Sequence, residues 1–381
     1  MKYPIFKVHV DVDSALKNLD VVLRSGFINE GMQVTELTNE FKKYFEFDNI
    51  IPLNSCTSAL TLALILSDVK PGDEVISTSM TCVASNTPIH DVGAKIVWAD
   101  IDRTTGNIDP EKVIEKITDK TKAVLCVNWA GLPCDLRKLH NICKEQGIKL
   151  IQDAAHGFGS MVDGRHVCYY ADYTCYSLQA IKHITTGDGG LLMCLDDQDF
   201  DRAKKLKWFG IDREATKDEN GEWKGQRWGI DIEEAGYKFH MNNISAAIGL
   251  SQIPHIDKIV SSHEENAKLY SKLLDHPEIQ HLTVRGRSPF VRSRPSFWVY
   301  TILLGEAIDR DEVLIKLNNM EIGAGVVHTP NHYYTCFKES MTDLPETDYF
   351  SQHQISLPCG WWLSFDDIEY ISNKLLEIIN T

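Results

Sequence analysis

Residues 173–194 have the sequence YTCYSLQAIKHITTGDGGLLMC. The residues up to Ser177 alternate as in a β-strand, and a second apolar run follows the glycine-rich turn at 185–190. Lys182 is therefore predicted to lie on a loop between two strands. Most lysines on loops are solvated surface charges. Here, however, the glycines permit positive φ angles and close backbone approach, and the Ser177 hydroxyl could face a phosphate. The pattern predicts a lysine that forms a Schiff base beside a flat ligand.

The spacing of these residues is specific in combination. Ser177 is followed after four residues by Lys182, and after three more by the sequence TGDGG at 186–190. This pattern resembles the lysine segment of the DegT/DnrJ/EryC1/StrS family, the pyridoxal-phosphate-dependent sugar aminotransferases of fold type I. The resemblance implies that pyridoxal 5'-phosphate is the cofactor and is bound to Lys182. It also implies an α/β fold, with a large domain around a mostly parallel central sheet and a smaller α+β C-terminal domain.

The composition disfavours several classes of protein. The 381 residues can bury a large core, and the net charge of -15 argues against nucleic-acid binding, because such proteins concentrate Lys and Arg. The ten cysteines include no C-x-x-C pair, and the first residues lack the apolar core of a signal peptide. No apolar run approaches about 18 residues. We expect reduced thiols, a cytoplasmic location, no metal site and no membrane span.

A second motif ends a predicted strand. The predicted strands 123–128 and 149–153 enclose a helical pattern, which is typical of a parallel crossover. Such units place functional side chains at the carboxyl ends of strands, where Asp153 lies. A carboxylate there is often only a helix cap, but the sequence DAAH at 153–156 resembles the family's Asp-x-Ala-Gln/His motif. The resemblance implies that Asp153 pairs with the pyridinium nitrogen and that His156 bonds the cofactor's 3'-oxygen.

A hydroxyl-rich segment, NSCTS at 54–58, precedes a helix rich in alanine and leucine. These residues are good N-caps, but a helix N-terminus with free N–H groups is also an anion site. In the family this position binds the cofactor phosphate. The resemblance therefore assigns that role to Cys56, Thr57 and Ser58, although Cys56 replaces the commoner glycine or alanine.

Other positions are assigned by resemblance alone. Cys82 occupies the place of an aromatic residue that stacks on the pyridine ring in the family. Either its thiol packs on the ring or Trp129 supplies an aromatic face. The residues expected near the substrate are Gly26 in a glycine-bounded loop, Trp129, His183, His328, and a predicted strand at 297–304 with Ser296 and Trp298.

The sequence GYKFHM at 236–241 matches the place of the family's Gly-Tyr-Asn-x-Arg-Met. The family's asparagine crosses a dimer interface to the partner's cofactor phosphate. Lys238 stands in that position here, and His240 replaces the arginine. A lysine can serve as a point charge for phosphate, so we expect a homodimer with shared active sites. The alternative is that Lys238 is an ordinary surface lysine.

Pro254 marks a break, after which a helical pattern through Leu274 leads into a second domain. We therefore predict a large domain over 1–254 and a smaller α+β domain over 255–381. Ser364 and Asp367 form a predicted capping box before the last helix. The charged segment 214–227 is predicted to be a mobile loop.

The resemblance covers nearly the whole chain and implies an aminotransferase of nucleotide sugars. The expected donor is glutamate. The expected acceptor is a 4-keto-6-deoxyhexose linked to GDP, dTDP or UDP, or else a 3-keto sugar, in surface-polysaccharide or deoxyamino-sugar biosynthesis. Two alternatives stay open. Sugar dehydratases of the same fold carry histidine in place of the lysine, and here His183 follows Lys182 by one position. A non-catalytic, cofactor-binding regulatory protein is the other, although no helix-turn-helix or basic segment is evident.

Overall fold

The structure is a computed structural model that describes residues 1–213, 231–282 and 293–381. The predicted mobile loop at 214–227 lies outside the described residues. Within the described ranges the α-helices are α1 (Val12–Ser25), α2 (Met32–Phe45), α3 (Cys56–Leu66), α4 (Val83–Asp91), α5 (Pro110–Lys116), α6 (Leu136–Gln146), α7 (Asp197–Leu206), α8 (Asn243–Gln252), α9 (Ile256–Leu273), α10 (Arg310–Asn319), α11 (Pro345–His353) and α12 (Phe365–Ile379). The strands are β1 (Ile50–Leu53), β2 (Glu74–Ser77), β3 (Lys95–Trp98), β4 (Ile101–Asp102), β5 (Asn107–Ile108), β6 (Thr121–Val127), β7 (Lys149–Asp153), β8 (Met161–Val162), β9 (Arg165–His166), β10 (Tyr173–Ser177), β11 (Gly190–Cys194), β12 (Ile279–His281), β13 (Ser293–Arg294), β14 (Tyr300–Leu304) and β15 (Gln354–Leu357).

The central sheet has seven strands in the order β1-β11-β10-β7-β6-β2-β3. Strands β10, β7, β6, β2 and β3 pair in parallel, whereas β11 is antiparallel to both of its neighbours. The predicted crossover from β6 through α6 to β7 is confirmed. Asp153 pairs with Val127 on one side and with Cys175 on the other, so the motif residue lies at the carboxyl edge of the sheet.

Helices cover both faces of this sheet. Side chains of α2, α6 and α8 pack on one face, and side chains of α3, α4 and α7 pack on the other. Successive strand residues alternate between the two cores: Leu150 belongs to the first and Ile151 to the second. Strands buried on both faces need nearly continuous apolar sequences, as β6 and β11 have.

The C-terminal part of the chain has a smaller antiparallel sheet in the order β12-β14-β15, packed against α9, α10 and α12. The break expected at Pro254 is a single 3-10 turn between α8 and α9. The capping box of Ser364 and Asp367 is present at the start of α12. The strand expected from Phe297 begins later, at Tyr300, because Phe297 has a left-handed backbone with φ of 48°.

Two general properties complete the picture. All ten cysteines are free thiols. Among the described residues, none of the helices combines the length and the apolar character needed to cross a bilayer.

Candidate active site

Lys182 lies in the loop that joins β10 to β11, beside the carboxyl edge of the central sheet. Burial lowers the pKa of Lys182 to about 8, while Asp153, Cys82 and Cys56 oppose this shift. Because electrostatic effects of this kind weaken with distance, these groups, from the end of β7 and the N-termini of α4 and α3, lie in the neighbourhood of the amine. The fold thus brings four sequence-predicted residues to one place.

Asp153 is a buried carboxylate held by two donors. It is only 4% exposed; its Oδ2 accepts from the Ser85 hydroxyl at 2.7 Å, and its Oδ1 accepts from the Ala155 N–H at 2.9 Å. Burial raises the pKa of Asp153, whereas the two hydrogen bonds and the charge of Lys182 lower it. The two donors therefore fix the orientation of the carboxylate at the carboxyl end of β7.

Ser85 was missed by the sequence analysis. It lies on α4, and its hydroxyl is also 2.8 Å from the hydroxyl of Thr81. Asn331 donates in turn to the Thr81 carbonyl at 2.8 Å. No sequence signal distinguishes this buried serine from an ordinary helix residue.

The N-terminus of α3 has the backbone N–H groups that an anion site needs. The cap is Ser55, whose hydroxyl accepts from the N–H of Ser58 at 3.0 Å. The hydroxyl of Ser58 donates to Asn54 at 2.7 Å, so within the described chain it is already engaged. The N–H groups of Cys56 and Thr57 precede the first intrahelical bonds and remain available to an anion.

Two further features border this helix end. A Cβ at Gly190 would lie 2.4 Å from the carbonyl carbon of Ser55, so only glycine permits this approach of β11. Ser177 ends β10, and its hydroxyl accepts from the Gln179 N–H at 3.3 Å. The end of the glycine-rich turn and the N-terminus of α3 are therefore in direct contact and form one continuous surface.

Aromatic rings form a wall beside Lys182. His156 stacks on Trp298 with 4.1 Å between ring centroids and on His328 with 5.3 Å. Trp129 meets both histidines edge-on, at 6.3 Å from His156 and 5.7 Å from His328. Burial lowers the pKa of both histidines, to about 3 for His328, so both rings are neutral at ordinary pH.

Two predicted residues, Gly26 and Lys238, lie away from Lys182, whereas His183 directly follows it in the chain. His183 is buried with its Nε2 3.0 Å from the Ser296 carbonyl and its ring against His263. Gly26 is the C-cap of α1, with φ of 73°. Lys238 is exposed, with its Nζ 3.8 Å from the centroid of the Trp208 ring. Among the described contacts within one chain, neither Gly26 nor Lys238 touches Lys182 or Asp153.

These groups fit pyridoxal phosphate. The Nδ1 of His156 is buried and has no partner among the described residues, so a ligand could satisfy it. Free N–H groups at α3 suit a phosphate, Asp153 suits a ring nitrogen, and the Lys182 amine suits an aldehyde.

Comparison with known proteins shows which family the chain resembles. The model of the DegT/DnrJ/EryC1/StrS aminotransferase family matches residues 10–376. The chain is 30% identical over 377 residues to the spore coat polysaccharide biosynthesis protein SpsC of Bacillus subtilis, covering 96% of this chain and 94% of SpsC.

Solved structures show the same similarity. The sugar aminotransferase CalS13 from Micromonospora echinospora is 30% identical, with a TM-score of 0.90 and coverage of 99% of this chain and 100% of CalS13. The PLP form of Spr1654 from Streptococcus pneumoniae is 26% identical, with a TM-score of 0.88 and coverage of 100% and 99%. The fold type I prediction is confirmed. The chain belongs to the DegT/DnrJ/EryC1/StrS aminotransferase family, and it is a transaminase that depends on pyridoxal phosphate.

Proposed function

We propose that this enzyme transfers the amino group of glutamate to a nucleotide-linked keto sugar, with Lys182 and Asp153 as its catalytic residues. The observation that carries the proposal is the position of the Lys182 amine, whose pKa burial lowers to about 8, close to the buried Asp153 carboxylate. A base titrating near the working pH is suited to proton transfer.

Each residue of the site has a separate proposed role. When bound, pyridoxal phosphate supplies an aldehyde that receives the amino group and a ring that accepts the electron pair released at the donor's Cα. Asp153 holds the proton on the ring nitrogen. The N–H groups of Cys56 and Thr57, with the Ser177 hydroxyl beside them, bind the phosphate, and Ser58 would join them by turning its hydroxyl from Asn54 to the phosphate.

Lys182 moves the proton. In its neutral form the Nζ of Lys182 accepts the proton from the donor's Cα, which a pKa of about 8 permits near neutral pH. His156 is our candidate for a bond to the 3'-oxygen, because its buried Nδ1 has no partner among the described residues. Cys82 caps α4 next to the amine and is our candidate for contact with the ring face.

The acceptor is proposed to be a 4-keto-6-deoxyhexose linked to GDP, dTDP or UDP. Support comes from the names of two similar proteins, a polysaccharide biosynthesis protein and a sugar aminotransferase. Trp129 and His328 border the site and are proposed to contact this substrate. We place the reaction in the cytoplasm, in keeping with free thiols.

A homodimer with shared sites is part of the proposal. Large apolar side chains are exposed on α1, on the loop after it and at the start of α2, including Leu16, Leu23, Phe27 at 79% and Met32 at 82%. Such a patch is typical of a protein interface. We propose that it brings Lys238 to the cofactor phosphate of the partner subunit and Gly26 near the substrate.

A panel of nucleotide keto sugars tests the function. The enzyme is incubated with pyridoxal phosphate, glutamate and each 3-keto or 4-keto sugar, and products are identified by mass spectrometry, with Lys182→Ala as control. An amino sugar formed only with glutamate and Lys182 supports the proposal. Loss of water without glutamate would identify a dehydratase, and cofactor binding without turnover of the whole panel would identify a regulatory protein.

A further inference from the structure

The indole ring of Trp298 lies against the amine of Lys182. The Nζ is 3.6 Å from the ring centroid. A cation within about 6 Å of an aromatic centroid is attracted to the face of the ring. Trp298 is only 2% exposed, so water screens this attraction little. The ring therefore favours one location for the charged amine.

Trp298 is itself firmly held. Its ring is nearly parallel to those of His156 and Phe6, with centroid distances of 4.1 Å and 4.6 Å. Its Nε1 donates to the carbonyl of Ile181 at 2.8 Å. Because Ile181 directly precedes Lys182, the ring is bonded to the backbone that carries the lysine as well as touching its amine.

The backbone before Trp298 is also anchored. The Nε2 of His183 donates to the Ser296 carbonyl at 3.0 Å, and the Nδ1 of His263 donates to the Phe297 carbonyl at 2.8 Å. The Trp298 N–H donates to the Ala130 carbonyl at 2.9 Å. These bonds hold Phe297 in its left-handed conformation and connect the Lys182 loop, α9 and the segment after β6.

We propose that Trp298 is a positioning residue for Lys182, which keeps the amine in place whenever it is not bonded to the cofactor. A free lysine side chain has four rotatable bonds, so a fixed amine removes an entropic cost from proton transfer. This inference rests on the proposed role of Lys182 as the base.

A purely structural role for Trp298 makes a different prediction. A tryptophan that only fills the core would contribute to stability, and its loss would leave the titration of the amine unchanged. The positioning role requires that the amine itself responds. The titratable groups that also act electrostatically on or beside this amine are Asp153, Cys56, Cys82, His156, His183 and His328.

The test compares Trp298→Leu, which removes the ring, with Trp298→Phe, which keeps a smaller ring but lacks the N–H. Trp98→Leu is the matched control, since Trp98 is equally buried but lies on β3 at the edge of the sheet. We measure kcat and KM, and the pH dependence of Lys182 labelling in the cofactor-free protein by an amine-reactive reagent and peptide mass spectrometry.

For Trp298→Leu we expect kcat to fall about tenfold with KM nearly unchanged, and the amine to titrate at lower pH because the charged form loses the ring face. Trp298→Phe should change both quantities less, in the same directions, and Trp98→Leu should change neither. If Trp298→Leu does not fold, Trp298→Phe decides by the same two measurements.

Two results would overturn the proposal: wild-type kcat in the folded variants, or a lower kcat with an unchanged titration, which marks a structural role. The Lys182→Ala control separates this from the proposed function. Full turnover in Lys182→Ala would remove the proposed function, whereas an inactive Lys182→Ala beside unaffected Trp298 variants would remove only the positioning role.

Discussion

The hydroxyl of Ser85 donates a hydrogen bond to Oδ2 of Asp153 at 2.7 Å and so connects α4 to the end of β7. The other carboxylate oxygen accepts from the Ala155 N–H at 2.9 Å. Both donors favour the ionised carboxylate, against the burial that disfavours it. Asp153, the proposed partner of the cofactor ring, therefore depends on a serine from α4 for one of its two hydrogen bonds.

Ser85→Ala should shift the pH profile. Asp153 must be ionised to act, and the loss of a donor raises its pKa further. When the pH is lowered, the variant should therefore lose activity at a higher pH than the wild type does. We expect the acid limb of kcat to move up by about one pH unit. Thr87→Ala is the control, since among the described residues that hydroxyl bonds only the Val83 carbonyl of the same helix. An unmoved acid limb in Ser85→Ala would contradict the prediction.

Asp153→Asn should keep the cofactor bound but lower the rate at least about 100-fold, because an amide cannot hold the ring proton. The folded-state pKa of Asp153 is raised, so the wild type loses stability as the pH rises through that pKa. We therefore expect the stability of Asp153→Asn, relative to the wild type, to increase as the pH rises from 4 to 8. Thermal melting of the two cofactor-free proteins measures this difference. A constant difference would show that the carboxyl is not destabilised by burial.

Lys182→Met should abolish turnover and change the pH dependence of stability. Burial depresses the pKa of Lys182 from 10.5 to about 8, so the wild type loses stability as the pH falls through this range. Melting curves of the cofactor-free proteins should show the variant gaining on the wild type as pH decreases from about 10 to about 8. Appreciable turnover in Lys182→Met would refute the catalytic assignment itself.

Lys238→Ala should weaken cofactor retention without unfolding the chain, and excess cofactor should restore much of the activity. Mixing Lys238→Ala with Lys182→Ala is the sharper measurement. If the two residues come from different subunits, each heterodimer has one intact site, and activity reappears on mixing. No recovery, in a mixture shown to exchange subunits, would place both residues in one chain or leave Lys238 as a surface residue.

Ser364→Ala should destabilise the protein by about 1 kcal/mol without affecting turnover, since it removes the capping box at the start of α12. Denaturant unfolding measures the loss. Ser262→Ala is the matched control, because that hydroxyl bonds only the Lys258 carbonyl within α9. Equal stability of both variants would mean that α12 does not depend on its cap.

Local patterns made much of the fold predictable. The bounds of α6 and β7 agree with the helical pattern at 136–146 and the strand pattern at 149–153. These bounds were predictable because the burial of each side chain follows from its position in the element. The spacing of Lys182 and the glycines after it was sufficient to identify the family. In contrast, α1 was not predicted, because several of its apolar side chains face outward.

Only the tertiary structure shows which residues contact Lys182 and Asp153, the proposed catalytic side chains. Ser85 and Asp153 are 68 residues apart, and Trp298 bonds a carbonyl 117 residues before it. His183, expected near the substrate, bonds the Ser296 carbonyl, which lies 113 residues later in the chain. Sequence periodicity tells which face of an element is buried, but it does not tell which distant segment packs on that face. Lys182 and Asp153 could therefore be identified as candidates from the sequence. Ser85 and Trp298, which contact them, could be identified only from the folded chain.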